Sequence, residues 1–85
     1  RDECRPIERR RFNFPGEFVY VIVGTYPTDE AAEACIQSYA TFLGDRWPTY
    51  QNDFYQQGRY VIELNPKNDD SVKKKARDAA QAVLD

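Results

Sequence analysis

The run Phe18-Val19-Tyr20-Val21-Ile22-Val23-Gly24 constrains this chain more than any other segment. From Val19 to Val23 every residue is β-branched or aromatic, the types that fit a pleated strand. A strand with one wet face alternates apolar and polar residues with period two. This run does not alternate, so both of its faces must leave water. One face has to pack on helices of the same chain. The other has to meet a ligand, a partner or another piece of the chain.

The flanking sequence supplies the helices. Tyr26-Pro27-Thr28-Asp29-Glu30 predicts a helix start, with Thr28 or Asp29 as cap and two acids at the positive end of the dipole. The helix should run to about Leu43, with Ala32, Cys35, Ile36, Tyr39 and Leu43 as its buried stripe and Gly44 as a left-handed cap. Arg46 to Tyr55 is rich in aromatics, and Pro48 makes its start an edge strand or irregular. Gln56-Gln57-Gly58 reads as a turn, and Arg59 to Leu64 as a strand with Tyr60, Ile62 and Leu64 on one side. Asn65-Pro66 breaks that strand, and Asn68, Asp69, Asp70 and Ser71 offer caps for a last helix to about Leu84. Its apolar face is Val72, Ala76, Ala79, Ala80 and Val83, while Lys73-Lys74-Lys75 reads as a solvated face. Ahead of the first strand, Arg1 to Gly16 forms an arm with the basic cluster Arg9-Arg10-Arg11, a short edge strand at Arg11 to Phe14 and a turn at Pro15-Gly16.

The order predicts an α+β fold: a two-layer sandwich with two helices on one face of a mostly antiparallel sheet, β-α-β-β-α, ferredoxin- or RNP-like, with an N-terminal arm or extra edge strand. Residues 1–16 are the arm and 17–85 the single domain, since 85 residues leave no room for a second. The chain begins at Arg1 without Met or signal peptide, which reads as an excised or processed domain.

Composition removes most chemistry. There is no histidine, hence no His-based relay and no imidazole ligand. Two cysteines cannot build a four-thiolate zinc site, and no Walker loop or dinucleotide fingerprint is present. The acids cluster at helix starts, where capping explains them. No cofactor and no enzymatic activity is expected. A net charge of −2 disfavours generic nucleic-acid binding, and no apolar run is long enough to span a bilayer. Cys4 and Cys35 either form one disulfide, which would need the arm to cross the first helix, or are a buried helix thiol and an unrelated arm thiol.

With both helices on one face, the compact valines Val19, Val21 and Val23 should meet them. Tyr20 and Ile22 then point outward with Arg59, Val61 and Glu63, joined by Tyr50 or Phe54. Tyr20, Ile22, Tyr50, Arg59 and Val61 are therefore the candidate binding residues. Such a face can stack sugars or bases, bind a protein or a second copy, or be covered by the arm through Phe12 and Phe14.

Val19 to Tyr26 followed by Asp29-Glu30-Ala31-Ala32-Glu33-Ala34, with Arg59 to Leu64 later, resembles a SPOR domain: an apolar strand ending in Gly, a small residue and an aromatic, then an Ala-rich helix. The resemblance spans Phe18 to Leu84. It implies a ferredoxin-like β-α-β-β-α-β fold in the bacterial envelope, hence an extracytoplasmic location, and binding of peptidoglycan glycan strands lacking stem peptides through the outer sheet face. This sequence departs from the family pattern at Ile22, where Gln is common, at Asn65-Pro66, where Gly is common, and in having no strand after Leu84. The expected function is thus a non-catalytic binding module, SPOR-like. The alternative is a protein-interaction or homodimerisation domain using the same apolar face. An RRM-like RNA-binding role is less favoured by the charge.

Overall fold

The computed structural model describes residues 4–14, 19–64 and 70–84. The expected turn at Pro15-Gly16, the strand break at Asn65-Pro66 and the caps Asn68 and Asp69 fall outside them, as do the side chains of Phe14 and Val19. The fold is α+β, as the element order predicts. Strands β1 (Glu8–Phe14), β2 (Val19–Thr25), β3 (Phe54–Gln57) and β4 (Tyr60–Leu64) form one antiparallel sheet in the order β1-β2-β4-β3. Helix α1 (Asp29–Leu43) joins β2 to the β3–β4 hairpin through the short α2 (Trp47–Tyr50), and α3 (Asp70–Ala82) closes the chain. The arm is therefore part of the sheet: β1 starts at Glu8 and lies beside β2. It occupies the place that a strand after the last helix takes in a β-α-β-β-α-β layout.

Local signals explain the boundaries. Thr28 is extended (φ −143°, ψ 163°) and its Oγ1 accepts the Ala31 N–H at 3.0 Å, capping α1. Gly44 closes the helix at φ +53°, donating its N–H to Ala40 O, a backbone conformation that costs other residues strain. Pro48 stands in the first turn of α2, where a missing N–H is harmless. That is why the segment after Arg46 coils into short helical turns rather than an edge strand.

The two buried clusters lie on opposite sides of β4. Ile62 and Leu64 pack with Val21 and Val23 of β2 against Ala76 and Ala80 of α3, surrounded by Phe12, Tyr60, Val72 and Leu84. Val61, one residue before Ile62, instead packs with Tyr26 and with Ala32 and Cys35 of α1. Successive strand residues face opposite ways, so each helix seals its own side of the sheet. The valines Val21 and Val23 are core, as expected, but α3 alone rests on them. Its small Ala76 and Ala80 permit that close approach, while Ala79 is exposed and Val83 is 70% exposed, not part of the apolar face.

The arm fixes α1 to the other side. Cys4 and Cys35 form a disulfide, with Cα atoms 4.7 Å apart and a sequence separation of 31. Pro6 then lies against Gly24: a β-carbon there would meet Pro6 Cβ at 3.4 Å and the Tyr26 ring at 3.2 Å. Any β-carbon at Gly24 would therefore have to displace the Tyr26 ring or Pro6 by a few tenths of an ångström. Toward the C-terminal end of α1, Tyr39 stacks on Phe54 with centroids 4.4 Å apart, and at its N-terminal end the Gln56 side-chain amide donates to Asp29 O at 3.0 Å.

Candidate functional site: an apolar groove beside the first helix

Because α1 meets β3 and β4 rather than the full width of the sheet, the Tyr20–Ile22 end of β2 is left incompletely covered. A groove of about 310 Å³ opens there. Tyr20 and Ile22 contribute from β2, and Tyr39, Phe42 and Leu43 from the last turns of α1. The connecting segment adds Arg46, Tyr50, Asp53 and Phe54. The aromatic ladder Tyr39–Phe54–Trp47, with centroids 4.4 and 5.8 Å apart, stiffens this wall.

The acids at the groove are already engaged. Asp53 is 4% exposed, and its Oδ1 lies 2.6 Å from Lys73 Nζ. The contact has the geometry of an ion pair rather than a directed hydrogen bond, and it ties the connecting segment to α3. Lys73 therefore leaves the solvated lysine face expected for it, whereas Lys74 stays on the surface with Asp78 at 2.7 Å. Glu63 pairs across β2 with Ile22 and sits 3.8 Å from Arg9. Burial pushes its carboxyl above the ordinary range, and the Arg9 guanidinium pulls it part of the way back. Burial, then Glu63, also raises the Tyr26 phenol, whose hydroxyl contacts Cys35 Sγ at 3.2 Å.

Cations remain available. Arg11 lies over the Tyr20 ring, 4.1 Å from its centroid. Arg46 is exposed at the groove rim and has no acidic partner among the described residues. Phe42, 60% exposed, and Tyr50, 36% exposed, complete the rim. The arrangement offers apolar and aromatic contact with a positive flank. Among the described residues no cluster of three His, Cys, Asp or Glu side chains has the placement to hold a metal ion.

Three of the five candidate residues, Tyr20, Ile22 and Tyr50, come together here. Val61 does not: α1 buries it to 1% exposure, so it serves the core and not an open face. Arg59 does not either. It is the second residue of the two-residue turn it forms with Gly58, and its guanidinium lies 5.9 Å from the Tyr60 ring centroid. There it lines a separate space on the α3 side with Arg10 and Phe12. Phe12 joins the α3-side core rather than folding over the outer face.

Phe42, Leu43 and Arg46 escaped the sequence reading as site residues. The available signal was Phe42 itself, a large aromatic off the buried stripe of its helix. Among the described residues no helix is long and apolar enough to cross a membrane. Comparison with known proteins finds no matching family model, no similar curated protein and no similar solved structure.

Proposed function

We propose that this domain is a non-catalytic interaction module whose groove seats apolar side chains of a protein partner. The observation that carries this reading is the pairing of an apolar cleft with large hydrophobic residues at its rim, Phe42 and Tyr50. Exposed aromatics around a concavity are the surface type that protein partners bury. The groove's carboxylates are committed to Lys73 and Arg9, which leaves few polar groups to read a strongly hydrated ligand. A disulfide in so small a domain supports an oxidising, extracytoplasmic setting.

A glycan strand is the second reading. The SPOR resemblance implies it, and the Tyr20 and Tyr50 rings at the groove favour it, since sugar faces stack on aromatic rings. Its weakness is the greasy Ile22 between them. One experiment separates the two. Ligands are selected from a displayed peptide library in parallel with a pull-down on amidase-treated peptidoglycan sacculi, using wild type, Phe42→Ser and Tyr50→Ala. The proposal expects selected peptides that lose binding to both variants, and no retention on sacculi. Retention on sacculi that is lost with Tyr50→Ala supports the glycan reading instead. Binding insensitive to all of these residues defeats both.

A further inference from the structure

The sheet has one long free edge. β1 ends the strand order, and among the described residues no segment pairs with its outer side. It is seven residues long, against four for β3 at the opposite edge. In an antiparallel strand, alternate residues turn their N–H and C=O groups away from the partner, so β1 presents a row of unused backbone donors and acceptors.

This edge is basic, on a chain whose net charge is −2. Arg9, Arg10 and Arg11 are its second to fourth residues, and alternation puts Arg10 on the α3 side and Arg9 and Arg11 on the α1 side. Two of them are laid on rings: Arg10 is 5.2 Å from the Phe12 centroid and Arg11 4.1 Å from that of Tyr20. A stacked guanidinium keeps its N–H groups free for carboxylates while losing less side-chain freedom on binding. Neither has an ion-pair partner among the described residues.

We infer that the β1 edge accepts an extended acidic peptide segment by strand addition, with carboxylates at successive positions meeting Arg10 on one face and Arg11 on the other. Backbone pairing supplies affinity, and the charges select the strand. A second copy is the poorer occupant, because it brings its own Arg9–Arg11 run against this one. Arginines on an edge also discourage indiscriminate pairing, and an acidic strand is the kind they do not repel. The β1 backbone edge and Arg10 lie away from the groove, while Arg11 flanks it over Tyr20, so the Arg10→Glu and N-methylation arms of the test read the edge independently of the groove's ligand.

The test titrates a fluorescein-labelled peptide as long as β1, seven residues, alternating Val or Thr with an acidic centre of consecutive Glu residues. Fluorescence anisotropy reads binding to the intact disulfide-bonded domain. The expected result is saturable binding that weakens by about tenfold or more on Arg10→Glu or Arg11→Glu and is restored when the peptide's Glu residues become Lys. Binding should fade toward about 1 M salt, where the Debye length is ~3 Å. N-methylation of alternate peptide residues should abolish it, and Phe42→Ser should leave it unchanged. Thermal melts confirm that the charge-reversed variants remain folded; both side chains are exposed. No binding, or equal binding to the reversed variants, overturns the inference. Full binding by the N-methylated peptide reduces the edge to a simple charge patch and overturns strand addition. Self-association through β1, seen by sedimentation and lost on Arg11→Glu, overturns the choice of occupant.

Discussion

Cleaving the Cys4–Cys35 bond should remove a large share of the domain's stability. The bond closes a loop of 31 residues. By chain entropy, a loop of that size restricts the unfolded chain by about 3.5–4 kcal/mol at 25 °C. A domain of 85 residues has roughly 4–13 kcal/mol in total. One bond therefore supplies between a quarter and nearly all of the margin. The structure adds a local reason: the bond holds Cys4 on α1 and Pro6 on Gly24, so β1 and α1 are clamped together across β2. Thermal unfolding followed by circular dichroism, with and without reductant, is the assay. At roughly 4–8 °C per kcal/mol for a domain of this size, Tm should fall by about 15–30 °C. The Cys4→Ala/Cys35→Ala double variant should melt near the reduced wild type and ignore reductant. A drop under about 5 °C would refute the reasoning, because the entropy of a loop this long cannot be so small without a strained native bond or a compact unfolded state.

Three further outcomes follow from buried contacts. Lys73→Met leaves the Asp53 carboxylate buried and unpaired and should cost about 3–5 kcal/mol in urea unfolding, with Asp53→Asn added to it recovering much of the loss. Gly24→Ala should destabilise the oxidised protein by about 1–2 kcal/mol, and by less once the disulfide is reduced and Pro6 can retreat. Glu63 titrates higher in the folded state than in the unfolded chain, so the folded form holds its proton more tightly. Its contribution is fully present below the ordinary carboxyl value and is lost as pH rises through the raised one. Glu63→Gln should therefore flatten that part of the stability–pH curve; an unchanged curve would show that Arg9 cancels the burial.

Much of the architecture was legible because local signals agree. The unbroken apolar run marks a strand needing two covers, Thr28 and Gly44 bound α1, and the alternation of Tyr60, Ile62 and Leu64 marks β4. What was not legible is which cover goes where. Periodicity says that Ala76 and Cys35 are buried, not that they are buried on opposite sides of the sheet. That choice depends on long-range contacts: the Cys4–Cys35 bond, the Pro6–Gly24 approach and the Tyr39–Phe54 stack. It moved Val61 from an open face into the core and left only Tyr20, Ile22 and Tyr50 of the candidate set in the groove. Lys73 was misread for the same reason, since its partner Asp53 is 20 residues away.

The most direct test of the central claim is an amide and side-chain NMR titration of the domain with a peptide selected against it. The account predicts shifts concentrated at Tyr20, Ile22, Phe42, Leu43 and Tyr50, the residues that line the groove. Shifts confined to other surfaces, such as the α3 side around Arg59 and Tyr60, with the groove unmoved, would contradict it.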